Sequence, residues 1–211
     1  MSGLRSSWGK IVEDAREAIA EAVRGRQVVD LGAGGYRQAI ELLALGARHV
    51  CVVDRVAPSE REPPPGVSSY VMTFSELLAQ IENDVFAASS SVAFLSWPTT
   101  DIYAHSLESV LTQFPAVVLL SKNTDGTSCG WPSLYATLLR RPVRAYVPHP
   151  HNTTIVYGPP GRRLRAPFPE ELAAMIHAFI LSYEDAEQLL PAIPSRDCTT
   201  ERMCATNGVE R

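Results

Sequence analysis

The chain has 211 residues, 45% of them hydrophobic and 20% charged, and a formal net charge of −4. That is an ordinary globular composition, long enough to bury a core without a metal or a disulfide. The acidic balance argues against a global nucleic-acid footprint, and no apolar run approaches the roughly 20 residues that span a bilayer.

Residues 7–24 carry Ile11, Ala15, Ala18, Ile19 and Ala22 at helical spacing, with Gly25 as the terminator. Residues 28–31 form a short apolar run that ends in glycines, as a buried strand would. A helix follows over 36–45, closed by Gly46, and a second buried strand over 49–53 leads to Asp54. This is one strand–helix–strand unit with a right-handed crossover. The proline-rich stretch 57–66 reads as a loop, 68–73 as a third strand, and 75–85 as a helix with Ser75 as its cap. A fourth strand over 91–97 stops at Pro98, a helix covers 101–114, and a fifth strand covers 116–121. After a polar loop comes a helix over 132–140, with Pro132 at its first turn.

The pattern then changes. Residues 143–148 and 153–157 read as two strands joined by a short turn, hence antiparallel. A last amphipathic helix is expected over 170–190, covering the sheet or forming a homodimer, and the polar residues from 194 read as a frayed tail. The expectation is an α/β fold with a doubly wound, mostly parallel sheet, helices on both faces and a terminal antiparallel hairpin. It is read as one domain over 1–193, with an N-terminal helix inside 1–25.

In an open parallel sheet, ligands sit beyond the carboxyl ends of the strands, where the strand order reverses. Here the first strand ends in Asp30-Leu31-Gly32-Ala33-Gly34-Gly35, and the second ends in Asp54-Arg55. Glycines admit positive φ and let a ligand approach bare backbone, and an acid at the second strand's end can accept from both hydroxyls of a ribose. A dinucleotide fingerprint needs a third small residue at the position held here by Arg37, which counts against a nicotinamide-dependent oxidoreductase.

The Asp30-x-Gly32-x-Gly34 turn, the acid at Asp54 and the closing hairpin resemble class I S-adenosylmethionine-dependent methyltransferases. The resemblance implies a seven-stranded Rossmann-like sheet, S-adenosylmethionine as cofactor and methyl transfer as the activity. It implies that Asp30 acts near the methionine ammonium, that Gly32, Ala33 and Gly34 line the methionine and ribose, and that Asp54, with Arg55 beside it, binds the ribose. Thr73 and Phe74 would lie near the adenine. Ser96 and Trp97 would flank the catalytic side, Ser96 also touching the cofactor. Amino-methylating members carry Asp or Asn followed by Pro-Pro-Tyr or Phe at that point, whereas this chain has Ser96-Trp97-Pro98-Thr99. A non-catalytic binding protein with a degenerate methyltransferase fold is therefore the alternative.

The acceptor is left open among small molecule, protein and RNA, with a small molecule favoured by the lack of an added recognition domain. Tyr103, His105, Lys122 and Asn123 are further rim candidates. His149 and His151 have H-x-H spacing without an accompanying acid or Cys, which reads as two loop histidines rather than a metal site. Two arginine clusters, Arg140, Arg141 and Arg144 and then Arg162, Arg163 and Arg165, read as solvated faces or as a site for an anionic substrate. Four scattered cysteines and the lack of an apolar leader core in the first residues give a cytoplasmic expectation with no membrane partner.

Overall fold

Strands made of almost unbroken Val, Leu, Ala and Phe form the centre of the molecule, as a sheet covered on both faces requires. The structure is a computed structural model and describes residues 10–60, 62–98, 106–121, 132–138, 140–149 and 152–159. A 3-10 turn at Glu13–Ala15 leads into α1 (Arg16–Val23), followed by β1 (Gln27–Leu31), α2 (Arg37–Ala44) and β2 (His49–Asp54). Then come β3 (Val67–Val71), α3 (Phe74–Glu82), a 3-10 turn at Ala88–Ser90 and β4 (Ser91–Ser96). The remaining elements are α4 (Leu107–Thr112), β5 (Ala116–Ser121), α5 (Pro132–Leu138), β6 (Val143–Val147) and β7 (Thr153–Tyr157).

The seven strands form one sheet in the order β3-β2-β1-β4-β5-β7-β6. The first five run parallel, and β7 enters antiparallel between β5 and β6. The order reverses between β1 and β4, which opens a crevice at their carboxyl ends. Alternate residues of each strand feed two cores. One face buries Val28, Val50, Val92 and Val118 together with Ile19 and Val23 of α1 and Leu42 of α2. The other buries Val29, Cys51, Leu95 and Leu119 with residues of α3, α4 and α5. The expected doubly wound sheet with its antiparallel end is the observed architecture.

Several boundaries differ from expectation. The N-terminal helix does not run from residue 7: residues 10–12 are not helical, and the α-helix begins only at Arg16. Ser75 is not the cap of α3. Thr73 is: its hydroxyl accepts from the Glu76 N–H at 3.2 Å, while the Glu76 carboxylate accepts from the Thr73 N–H at 2.7 Å, a reciprocal capping box. The Thr73 N–H and, at 2.9 Å, the Thr73 hydroxyl both donate to the Glu76 carboxylate, and these two bonds hold it below its ordinary pKa. The expected helix over 101–114 is described only from Leu107. Tyr103, His105, Lys122, Asn123, His151, Arg162, Arg163, Arg165, the helix expected over 170–190 and the tail lie outside the described residues. No described helix is long and apolar enough to cross a membrane.

Arg141 is not part of a solvated face. It is 1% exposed and is the largest fully buried side chain among the described residues. Its guanidinium donates to the carbonyls of Phe114 at 3.0 Å and Gly158 at 2.9 Å, and also to that of Leu111. Leu111 lies in the last turn of α4, where the helix dipole favours a cation. One side chain thus ties α4, the entry to β5 and the exit from β7. Burial lowers its pKa to about 10, which still leaves it charged at neutral pH.

Arg141→Met should lower stability by about 2–4 kcal/mol, because it removes three buried hydrogen bonds from a charged donor. Arg141→Lys should lose less, since one ammonium can still reach part of the set. Urea unfolding of the two variants beside the parent checks this, and equal midpoints for parent and Met variant would refute it.

Candidate functional site

Asp30 is the fourth residue of β1, and its carboxylate is fully buried. Neither oxygen has a hydrogen-bond partner among the described residues. Burial, and then the charge of Asp54, push its pKa up to about 8. A desolvated acid of this kind stays protonated, or waits for a cation, near neutral pH.

Directly after β1 the chain makes its glycine turn. Gly32 has φ +74° and Gly34 has φ +64°, values an L side chain seldom adopts. A Cβ built on Gly34 would meet nothing within 4 Å, so the space beside it is open, and one on Gly32 would face the Phe74 ring at 3.9 Å. The Gly32 N–H donates to the Val53 carbonyl at 2.8 Å, which continues the parallel ladder into the turn.

Asp54 ends β2 and faces the same turn. Its carboxylate accepts from the Gly34 N–H at 2.8 Å and from the Val56 N–H at 3.0 Å, one bond to each oxygen. These bonds fix the turn against the end of β2. A carboxylate has about four acceptor positions, so both oxygens can take a further donor.

The structure thus brings Asp30, Gly32, Gly34, Asp54 and Phe74 to the carboxyl ends of β1 and β2. Ala33 is half-buried and packs on the core below. Arg55 is exposed beside Asp54. Thr73 is at the same rim, where its hydroxyl serves as the cap of α3. Phe74 is half-buried against the opposite core.

Ser96 and Trp97 lie at the end of β4, across the reversal point from β1. Both are half-buried. Trp97 is outside the strand it was expected to finish: its φ is +54°, in the left-handed region, which costs a bulky residue about 1–3 kcal/mol. Two bonds hold it there. Its N–H donates to the Leu120 carbonyl at 2.8 Å, and its indole N–H donates to Asn152 Oδ1 at 2.9 Å. Asn152 is buried, and its own N–H donates to His149 Nδ1 at 3.1 Å.

Asn152 escaped sequence reasoning. It stands in a short His-Pro-His-Asn turn 55 residues from Trp97, and no local pattern joins the two. His149 lies in this turn, its Nδ1 accepting from the Asn152 N–H, and no metal-ligating cluster occurs among the described residues.

The raised pKa of Asp30 fixes a pH dependence. Below about pH 4 the folded and unfolded chains both hold the proton. As pH rises toward about 8 the unfolded chain releases it and the folded chain keeps it, so stability falls through that window. Asp30→Asn should remove this slope and be more stable than the parent above about pH 8. Urea unfolding at a series of pH values reads it, and parallel stability curves would count against it.

No protein-family model matches the chain, and no curated protein matches it in sequence. Solved structures do resemble it. A candidate S-adenosylmethionine-dependent methyltransferase from Streptococcus mutans shares 8% identity over 71% of this chain and 50% of its own, with a TM-score of 0.50. The 1,6-didemethyltoxoflavin-N1-methyltransferase of Burkholderia thailandensis, solved with its substrate and S-adenosylhomocysteine, shares 19% over 70% of this chain and 79% of its own, at a TM-score of 0.48. A candidate tRNA (m1A22) methyltransferase from Streptococcus pneumoniae, solved with S-adenosyl-L-methionine, shares 11% over 84% and 89%, at 0.49. Identities this low speak to the fold alone, a Rossmann-like α/β fold with a mostly parallel sheet and an antiparallel end.

Proposed function

We propose that the chain binds S-adenosylmethionine in the crevice between β1 and β4 and transfers its methyl group to an acceptor, a small molecule being favoured. The observation that carries this reading is the buried carboxylate of Asp30, with both oxygens unpartnered, beside a turn of bare glycine backbone. A buried acid needs a proton or a cation. The methionine ammonium is a cation that a ligand in this crevice would bring, reaching Asp30 directly or through water.

The other residues suit the remaining parts of the molecule. Asp54 has acceptor capacity left for two ribose hydroxyls after binding Gly34 and Val56. Gly32 and Gly34 present main chain where a Cβ would intrude on the methionine and ribose. Phe74, beside Gly32, offers an apolar wall for the adenine. When bound, S-adenosylmethionine supplies a methyl group already activated on a sulfonium. The chain's own work is to align the acceptor and exclude water, which supplies several kcal/mol. Ser96 and Trp97 flank the crevice on the acceptor side. Ser96 offers a hydroxyl, and the indole of Trp97 is held in place by its bond to Asn152.

A non-catalytic binding protein is the second reading. It is favoured by Ser96, which stands where amino-methylating relatives place an acid or amide. A nicotinamide-dependent enzyme is third. Arg37 occupies the place of the third small residue, and its side chain is within 3.7 Å of Glu41 on its own helix. Incubation with a labelled methyl donor and a cell extract separates the first two: a labelled product supports transfer, and its absence in every fraction leaves the binding protein.

Calorimetric titration should find binding of S-adenosylhomocysteine and none of NAD. Asp54→Ala should weaken it by about 1.5–3 kcal/mol, as loss of charge-assisted bonds does. Full affinity in a folded Asp54→Ala variant would remove this residue from the site. Binding near neutral pH should also release a proton from Asp30, seen as a buffer-dependent heat that Asp30→Asn abolishes.

A further inference from the structure

The glycine turn that would receive an adenosyl ligand is also where the phosphates of a nucleotide would bind. Main-chain N–H groups at a helix N-terminus hold phosphate well. α2 has such an end: its cap residue, Tyr36, makes no side-chain capping bond, and no acid stands in the helix's first turn. The chain nevertheless brings carboxylates to this spot from other elements. One is Asp54, which already takes the Gly34 N–H at 2.8 Å.

The other is Glu60, in the loop between β2 and β3. A Cβ built on Gly35 would stand 3.6 Å from Glu60 Oε2 and 3.8 Å from Oε1, so both oxygens lie against the turn. Gly35 is two positions before the first residue of α2. Unlike Gly32 and Gly34 it has no positive φ, so its backbone does not ask for glycine. Its missing side chain leaves the Glu60 carboxylate facing bare main chain. The Ser59 hydroxyl donates to Glu60 Oε2 at 3.2 Å, and both residues are exposed. The nearest cation on the helix, Arg37, is within 3.7 Å of Glu41 on the same helix.

We propose that Glu60 is a specificity-determining residue of the crevice. With Asp54 it repels phosphate-bearing nucleotides from the end of α2 and leaves the turn to an adenosyl ligand without phosphate. This rests on the reading of the crevice as an S-adenosylmethionine site. Like charges set against each other cost affinity, and a site gains selectivity from what it repels as well as from what it holds. A pyrophosphate placed on this turn would meet Asp54 and Glu60 together. S-adenosylmethionine carries a sulfonium and an ammonium against one carboxylate, so the same acids do not oppose it. Asp30, buried and without a partner among the described residues, adds a third acid at the carboxyl ends of the strands. Glu60 differs from the other two in coming from a loop, where its replacement leaves the sheet intact.

Calorimetric titration of the full chain with adenosine, ADP and S-adenosylhomocysteine tests the proposal, beside Glu60→Gln and Glu60→Lys. The parent should bind adenosine more tightly than ADP. Glu60→Gln should bind ADP at least about tenfold more tightly than the parent does, and Glu60→Lys more tightly still. Adenosine and S-adenosylhomocysteine, which have no phosphate, should bind the Gln variant as they bind the parent. The gain for ADP should shrink as salt is raised toward about 1 M, where exposed charges are screened. An acid that only complements the dipole of α2 would alter the melting temperature and leave the ratio of ADP to adenosine affinity unchanged. That outcome, with S-adenosylhomocysteine bound, would overturn the role of Glu60 alone. A gain that persists undiminished at high salt would assign the effect to shape and overturn it as well. A parent that binds no S-adenosylhomocysteine would overturn the reading of the crevice, and the role of Glu60 with it.

Discussion

The crevice is organised around a carboxylate removed from water at the end of the central strand. Asp30 is fully buried on the strand between β2 and β4, and none of the described groups donates to it. A fold that only needed to close its core would place a Val or Leu there, as it does at Val28 and Val52. The cost of keeping the acid is offset only when something positive, a proton or a ligand's cation, arrives beside it. The glycine turn follows at once and is pinned by Asp54, so charge and bare backbone meet at one place.

Asp54 and Trp97 show two ways of fixing a loop at a strand end. Asp54 uses local geometry: its two oxygens take N–H groups from the turn opposite and from its own loop. Trp97 is held by partners far off in sequence, the Leu120 carbonyl and Asn152, and is driven into a left-handed conformation. Strain of this kind persists only where surrounding bonds overdetermine it. The β4 motif and the β6–β7 turn are therefore one mechanical unit, although 55 residues separate their bonded side chains.

The sheet was legible in the sequence because its strands are buried on both faces. Val28–Val29, the run from Val50 to Val53 and the run from Val117 to Leu120 are apolar without alternation, and only a covered parallel sheet asks for that. The glycine turn and the two acids could be read for a related reason: backbone conformation and strand-end position are local properties. Helix starts were less clear. Thr73 and Ser75 are both good caps, and the choice rests on which hydroxyl faces the Glu76 N–H. Arg141 was misread because a buried guanidinium and a solvated one look alike in sequence. Its partners are carbonyls contributed by Leu111, Phe114 and Gly158, up to 30 positions away. Asn152 was missed for the same reason.

The strand order has a consequence for how the chain is made. β7 is inserted between β5 and β6, so β6 has no neighbour in the sheet until β7 arrives. A nascent chain that has emerged only as far as residue 150 carries β5 as a raw edge and β6 as an orphan. Both are exposed to pairing with other chains at that stage. The five residues Thr153–Tyr157 then complete two strand pairs at once, and Gly158 brings the last carbonyl to Arg141. On the ribosome, pairing of β5 and β6 waits for the emergence of β7, and a pause in translation just before it would leave both strands open to pairing with other chains.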